Sequence, residues 1–139
     1  MKSNQIVNVL TFIFINIYSK SYVRGDGETH LYVIPTPDGF NKVTASIDSS
    51  FVLSCVSTGS NEDKPKALKW ISPTNEVINS DSQKRIYTVL QGDTLRLFFE
   101  KLVPSDSGTY TCAGVEAGAQ KEVKADLVLQ SKNYYKHLK

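Results

Sequence analysis

Few residues of this chain have the type and spacing needed for catalysis or metal binding. The 139 residues include two histidines, His30 and His137, and two cysteines, Cys55 and Cys112. A Ser-His-Asp arrangement would have to use His30, but no local motif surrounds it. The acidic residues are scattered, and the cysteines are needed for a disulfide, so no metal-ligand spacing remains. The sequence therefore predicts no enzyme activity, no cofactor and no metal site.

The first residues are typical of a secretory signal peptide. Residues 6–18 are mostly Ile, Val, Leu and Phe, and Ser19-Lys20-Ser21 places small residues two apart, as signal cleavage requires. A membrane span would need about 20 consecutive apolar residues, whereas this run is shorter and is interrupted by Asn8 and Asn16. We therefore expect a secreted or extracellular protein without stable membrane insertion once the signal is removed.

The charge balance argues against a nucleic-acid partner. The whole chain has 16 Lys and Arg residues against 14 Asp and Glu. The predicted signal peptide contains Lys2 and Lys20 and no acidic residue, so 14 basic residues remain against 14 acidic ones. A nearly neutral mature chain lacks the basic footprint that phosphate binding requires.

The two cysteines predict a disulfide, because an even number of cysteines in a secreted chain is normally paired. Only one connectivity is possible, Cys55 to Cys112. In the chain-entropy model, closing a loop of this length adds roughly 4 kcal/mol to the free energy of unfolding.

The elements around the cysteines read as short strands, because apolar residues alternate with a period of two. The alternating sets are Phe51/Leu53/Cys55, Leu68/Trp70, Leu95/Leu97/Phe99, Tyr110/Cys112 and Val123/Ala125/Leu127/Leu129. Turn-forming stretches of Gly, Pro, Asn and Asp separate them. This spacing predicts an all-β antiparallel sandwich or barrel. Inward-facing cysteines on two separate strands would join two sheets through the core.

The segment DSGTYTC, residues 106–112, predicts a second structural feature. Tyr110 lies two residues before Cys112, where the chain enters its strand. A buried tyrosine needs a partner for its hydroxyl, and a backbone group of the preceding turn is within reach, which makes a tyrosine corner. Gly108 allows that turn to be tight. Trp70 is the largest side chain available to pack on the disulfide.

Cys55, Trp70 and the segment 106–112 together resemble the signature of the immunoglobulin superfamily. The resemblance covers about residues 28–130 and implies an immunoglobulin-like β-sandwich of I-set type with one inter-sheet disulfide. It also implies that Arg85 opens strand D and pairs with Asp106. Stretches such as residues 96–110 are similar to the first immunoglobulin domain of neural cell adhesion molecule and of fasciclin II, which implies cell adhesion or recognition.

The predicted organisation has four parts: a signal peptide at residues 1–21, a flexible segment at 22–28, the immunoglobulin-like domain at 29–130, and a tail at 131–139. Arg24-Gly25-Asp26 matches an integrin-binding sequence, but a three-residue match is weak by itself. The tail has no hydrophobic stretch for a membrane span or a glycolipid anchor. A secreted protein and a truncated piece of a multi-domain receptor are both left open.

The outward positions of the strands are the predicted interface. Phe98 and Val52 point outward on one sheet, and Ile71 and Ala113 on the other, if the alternation holds. The sequence contains no Asn-x-Ser/Thr sequon, so both faces are open to protein contact. Large core side chains are expected to leave no cavity for a small-molecule substrate.

The predicted function is an extracellular protein-binding module for cell adhesion or cell-surface recognition. Its partner would be a second copy of itself or another cell-surface receptor, bound in a homophilic or heterophilic way. The alternatives are a secreted single-domain ligand or decoy without membrane attachment, and an internal structural module such as a muscle immunoglobulin domain. The signal peptide argues against the last of these.

We predict that the chain is cleaved close to Ser21 and released, because the apolar run before it is too short to span a membrane. After expression in a secreting cell, N-terminal sequencing of the product in the medium should begin near Tyr22. Recovery only in the membrane fraction, with Met1 retained, would show that the segment is an anchor.

Overall fold

Eight strands and one 3₁₀ helix make up the part of the chain that the computed structural model describes, residues 28–132. In chain order the strands are β1 (His30–Ile34), β2 (Lys42–Ser46), β3 (Phe51–Thr58), β4 (Lys66–Ile71), β5 (Ile86–Gln91), β6 (Thr94–Phe99), β7 (Gly108–Glu116) and β8 (Ala119–Gln130). The 3₁₀ helix, Pro104–Asp106, precedes β7. The predicted signal peptide, the Arg24-Gly25-Asp26 sequence and most of the predicted tail lie outside the described residues.

The strands form two sheets that pack face to face. The first sheet has the order β1-β3-β6-β5, and the second has the order β2-β8-β7-β4. Neighbouring strands are antiparallel except β2 and β8, which are parallel. A disulfide between Cys55 of β3 and Cys112 of β7 joins the sheets, with 6.2 Å between the two Cα atoms. The prediction of an immunoglobulin-like sandwich with one inter-sheet disulfide is confirmed.

The core contains the side chains that the alternation predicts to face inward. Leu53, Leu97, Phe99 and Leu127 are almost completely buried between the sheets. Trp70 of β4 is paired with Cys112 of the disulfide and is also fully buried. Its indole Nε1–H donates a hydrogen bond of 2.9 Å to the carbonyl oxygen of Leu95 on β6. This bond satisfies the buried indole and connects the second sheet to the first.

A tyrosine corner closes the turn before β7. The Tyr110 hydroxyl donates a hydrogen bond of 2.7 Å to the carbonyl oxygen of Asp106. The Tyr110 ring meets the Phe99 ring edge to face, with 5.3 Å between the centroids. Burial, followed by the nearby negative charge of Asp106, raises the pKa of Tyr110 to about 12. Tyr110 therefore stays neutral in the folded state far into the alkaline range.

Asp106 is a buried carboxylate that three donors satisfy. Arg85 donates from Nη1 to Oδ2 at 2.7 Å and from Nη2 to Oδ1 at 2.8 Å, which makes a bidentate pair. The backbone N–H of Val103 donates to Oδ2 at 2.8 Å. The hydrogen bond with Asp106 raises the pKa of Arg85. This is the pair that the resemblance implies, although Arg85 directly precedes β5 rather than lying in it.

Gly108 is required by both its backbone conformation and its surroundings. Its φ angle is 141°, which side-chain-bearing residues rarely adopt. A Cβ atom at this position would come within 2.8 Å of the Pro73 ring. Any other residue at Gly108 would therefore force the β7 turn away from the loop that contains Pro73.

We predict that Tyr110→Phe changes the pH dependence of stability as well as its magnitude. Loss of the hydroxyl leaves the Asp106 carbonyl without this donor, which should cost about 1 kcal/mol at neutral pH. Because the folded pKa is raised, the contribution of the hydroxyl is fully present below the unfolded pKa of about 10 and is lost as the pH rises towards about 12. Urea unfolding should show the two stabilities converging just above pH 10 and then crossing before pH 12, because raising the pKa from about 10 to about 12 removes about 3 kcal/mol of stability. A constant difference would contradict the raised pKa.

We predict that reducing the Cys55–Cys112 disulfide lowers the free energy of unfolding by roughly 2–5 kcal/mol, because the bridge restricts the unfolded chain. Peptide mass spectrometry without reduction should find the two cysteine peptides linked. Thermal melting with and without a reductant measures the loss of stability. Two free thiols in the mature protein would contradict both the bridge and the secretory interpretation.

Candidate protein-binding surface

The outer face of the first sheet is largely apolar and aromatic. Seven outward side chains of β1, β3, β5 and β6 define what we call the aromatic face: Tyr32, Ile34, Val52, Val56, Tyr87, Val89 and Phe98. Their neighbours along each strand, such as Val33, Leu53 and Leu97, face the core. Tyr32 and Ile34 on β1 are 42% and 47% exposed. Because successive side chains of a strand point to opposite faces, the strands that fill the core also place apolar side chains in solvent.

A row of three side chains crosses the aromatic face. Phe98 of β6 is paired with Val52 of β3 on one side and with Tyr87 of β5 on the other. The Phe98 and Tyr87 rings are stacked, with 5.3 Å between centroids and 10° between planes. Each of the three side chains is half-buried. The stack gives the face a flat, rigid aromatic surface whose conformation does not need to be ordered on binding.

Arg96 provides the charge of the aromatic face. Among the outward positions of these four strands, it is the one that carries a Lys, Arg, Asp or Glu side chain. It is exposed and is paired with Ser54 and Val89. Two positions along β6 lies Phe98, so the guanidinium can contact a partner that the aromatic row also contacts. Arginine among aromatic side chains is typical of the central region of protein interfaces.

The outer face of the second sheet is charged instead. Its outward side chains include Lys42, Lys69, Glu122, Lys124 and Asp126. Ile71, predicted as an interface residue, lies on this face, paired with Thr111, and is half-buried.

Ala113 was predicted to be exposed on this charged face, and that expectation is wrong. Its side chain is only 1% exposed. Ala113 lies between Lys69 of β4 and Glu122 of β8 in the sheet. Its methyl group is too short to reach solvent between these longer side chains, so outward orientation does not produce exposure here. Ala113 therefore offers almost no contact area to a partner.

Phe40 is an exposed aromatic residue that the strand pattern does not reveal. It lies on the loop between β1 and β2 and is 79% exposed. The Asp38 carboxylate accepts hydrogen bonds from the backbone N–H groups of Phe40, at 2.8 Å, and Lys42, at 2.9 Å. These two bonds, led by that of Lys42, lower the pKa of Asp38. The loop is therefore held by Asp38 in one conformation while the ring remains in solvent.

The structure has an open groove on its surface, outside the space between the sheets to which the expectation of no cavity referred. Core side chains fill the space between the sheets, and an open groove of about 600 Å³ lies among β1, the β1–β2 loop and β8. Leu31, Pro37 and Val123 supply apolar lining, and Glu122 and Lys124 lie along one side. The expectation considered only the sandwich interior, whereas this groove lies at its rim.

The described residues offer little that suggests catalysis. His30 is exposed, and its Nε2 atom lies 3.2 Å from a carboxylate oxygen of Glu28. Within residues 28–132, no three His, Cys, Asp or Glu side chains are grouped so that they could hold a metal ion. The same part of the chain has no helix with the length and apolar character needed to cross a membrane.

Comparison with known proteins places this geometry in a family. The sequence pattern of the immunoglobulin I-set domain matches residues 37–129. The chain is also 33% identical, over 69 residues, to a leucine-rich repeat and immunoglobulin-like domain-containing nogo receptor-interacting protein 1 from Pongo abelii, and 32% identical to its Homo sapiens counterpart. That match covers 50% of this chain and 11% of the relative, so the chain spans about a tenth of the length of the relatives it matches.

Solved structures agree on the fold. One immunoglobulin chain from a complex of titin with obscurin-like 1 superposes with a TM-score of 0.56 at 15% identity, covering 76% of this chain and 96% of that one. A further titin domain superposes with a TM-score of 0.52 at 21% identity, covering 64% of this chain and 85% of that one. At these identities the likeness shows the fold alone.

The family consists of protein-binding modules that are typically non-catalytic. The family model matches residues 37–129. The same residues contain the inter-sheet disulfide, the buried tryptophan beside it and the tyrosine corner, which are features of an immunoglobulin domain. This chain belongs to the immunoglobulin I-set family.

Proposed function

We propose that this chain is an extracellular recognition module that binds a partner protein through the aromatic face, in cell adhesion or cell-surface recognition. The observation that carries the proposal is the row Val52–Phe98–Tyr87, which places two stacked rings on an open sheet face. The partner is a second copy of this chain or another cell-surface protein. The proposed role is non-catalytic.

The composition of the aromatic face supports this use. Interface centres are depleted in charged residues other than arginine and are enriched in Tyr, Phe and Arg. The aromatic face has Tyr32, Tyr87 and Phe98 around the single guanidinium of Arg96. The charged face, with Lys42, Asp126 and similar side chains, has the composition of an ordinary solvated surface. The aromatic face is therefore the better candidate of the two.

An extracellular location is part of the proposal. The chain has a disulfide between Cys55 and Cys112. Disulfides are stable in oxidising compartments and are rare in cytosolic proteins. This argues against the muscle type of immunoglobulin domain, although titin domains share the fold. The relative with 33% identity is named as a receptor-interacting protein, which is compatible with recognition at a cell surface. A secreted ligand or decoy would use the same aromatic face against a receptor.

We predict that Phe98→Asp weakens partner binding while the domain still folds. Its ring is half-buried against Tyr87, so the substitution should cost about 1 kcal/mol of stability from the lost stacking. Phe99→Ala, one residue along β6, is the matched control. Phe99 is 1% exposed, and truncation should cost roughly 3–5 kcal/mol. Thermal melting measures stability, and sedimentation velocity measures self-association.

A second variant separates binding from stability on the same face. Arg96→Glu reverses the one charge among the aromatic side chains at an exposed position, so it should change binding and leave the melting temperature nearly unchanged. Binding to cultured cells is measured alongside self-association, because the partner can be another receptor. Unaltered binding in both variants would rule out the aromatic face, and unfolding of Phe98→Asp would contradict its outward orientation.

A further inference from the structure

We propose that the free edge of β8, together with the groove beside it, binds an extended segment of a partner protein as an added antiparallel strand. The added strand would extend the second sheet, and the groove beside it is also lined by β1 of the first sheet, including Tyr32 of the aromatic face. Its ligand is a peptide with an acidic, an apolar and a basic residue in succession. The backbone of β8, the lining of the groove and the charges along its rim each support this assignment.

The backbone of β8 has unused hydrogen-bonding groups on one edge. β2 pairs with β8 only from Asp126 onward, where the Asp126 N–H donates to the carbonyl oxygen of Asn41 at 2.6 Å. Successive residues of a strand direct their N–H and C=O groups to opposite edges. Glu122 and Lys124 therefore direct theirs to the same edge as Asp126, away from β7. No strand of the described chain pairs with them there. Two donors and two acceptors are available to a peptide.

The groove beside this edge accepts one apolar side chain of such a peptide. A strand added next to β8 would place the residue opposite Val123 on the inner side of the sheet. On that side the groove is lined by Leu31 and Val33 of β1, by Pro37 and by Val123 itself. Its volume of about 600 Å³ exceeds that of any single side chain. An apolar residue at this position would cover partly exposed core side chains such as Leu31 and Val123.

The charges along the edge define the flanking residues of the peptide. Glu122 and Lys124 project from the outer side of β8, two positions apart. Directly opposed side chains in neighbouring strands favour opposite charges, and like charges are destabilising. The peptide residue opposite Lys124 should be acidic, and the one opposite Glu122 should be basic. Antiparallel pairing is the more stable per residue, and it gives the order acidic, apolar, basic.

The pairing of β2 with the same edge of β8 supports a peptide as the ligand of the free part of that edge. β2 already pairs with this edge of β8 from Lys42 onward, in the parallel direction, so the fold itself shows that the edge accepts a strand. The N-terminus of such an antiparallel peptide would lie next to the β1–β2 loop, which carries the exposed Phe40, because β2 begins opposite Asp126. A second copy of β8 fits less well, since its hairpin with β7 would overlap β2. Charged edge residues such as Lys124 also discourage pairing with unmatched strands.

Two synthetic peptides test the charge pattern with the mature full-length chain. The matched probe is acetyl-Glu-Val-Lys-Val-Thr, whose central Val is the one between Glu and Lys and which begins opposite Lys124 because β2 pairs with β8 from Asp126 onward. The control exchanges its Glu and Lys. The matched peptide should bind saturably, and the control should bind about tenfold more weakly, because two attractive cross-strand pairs become repulsive. In ¹H–¹⁵N NMR titrations, hydrogen exchange should slow at the amides of Glu122 and Lys124, which face the peptide.

Backbone methylation of the probe tests the added strand without altering the protein. In the antiparallel register, the amides of the peptide Glu and Lys face β8, and that of the central Val faces away. N-methylation at Glu or Lys should abolish binding, while N-methylation at the central Val should leave it within about threefold of the parent peptide, since no hydrogen bond to β8 is lost. Lys124→Pro removes one facing donor and should also abolish binding, with folding checked by thermal melting.

Four results would overturn the proposal. The first is no saturable binding of either peptide at millimolar concentration. The second is equal loss of binding for all N-methyl positions. The third is shifts confined to residues such as Tyr87 and Phe98, which would place the peptide on the aromatic face. The fourth is protection of the Glu122 and Lys124 amides without peptide. Sedimentation would then assign the edge to a second copy if the protein is dimeric, or to the chain's own flanking segments if it is monomeric.

Discussion

The connection between the two sheets, made by the disulfide and by the Trp70 hydrogen bond, is the constraint on which the rest of the structure depends. Cys55 and Cys112 join β3 to β7 covalently, and the Trp70 indole beside them donates to the Leu95 carbonyl of the opposite sheet. The disulfide restricts the unfolded chain, while the tryptophan fills the centre of the folded one. Together they fix the separation and register of the sheets. Both outer faces are rigid because the inner faces are held in this way.

A second, polar constraint holds the end of the sandwich. The Asp106 carboxylate accepts from Arg85 and from the Val103 backbone, and its carbonyl oxygen accepts from Tyr110. One residue therefore connects the start of β5, the 3₁₀ helix and β7. A buried carboxylate is costly unless it is paired and hydrogen-bonded, and here each partner comes from a different segment. Loss of Arg85 would leave the buried Asp106 carboxylate without its charged partner, whereas the partly exposed Arg85 would remain solvated if Asp106 were lost.

The sequence predicts those features that follow from local pattern. Period-two alternation predicts that Leu53, Leu97 and Phe99 are buried, and the family resemblance adds the pairing of Arg85 with Asp106. The same alternation fails at Ala113, because it gives the direction of a side chain but not the length of its neighbours across the sheet. Tyr87 was not predicted as part of the interface, since its stacking on Phe98 depends on the register between β5 and β6. Cross-strand register is set by tertiary packing and cannot be read from one strand.

The sequence also does not predict the groove beside β8, because the groove depends on which strands pair with each edge of β8. The alternation of Val123, Ala125, Leu127 and Leu129 predicts the strand but not which part of it has a partner on each edge. That depends on where the chain leaves β1 and begins β2, at Lys42 opposite Asp126.

The aromatic face and the β8 edge differ in what they can recognise. The aromatic face offers side chains on a flat surface, so its selectivity depends on shape and on the position of Arg96. The β8 edge offers backbone groups, which any extended chain can use, so its selectivity must come from Glu122, Lys124 and the groove. The two surfaces adjoin at β1, because Tyr32 of the aromatic face also lines the groove beside β8. If both surfaces bind as proposed, their partners would lie side by side across β1, and the disulfide-linked core would keep that spacing constant.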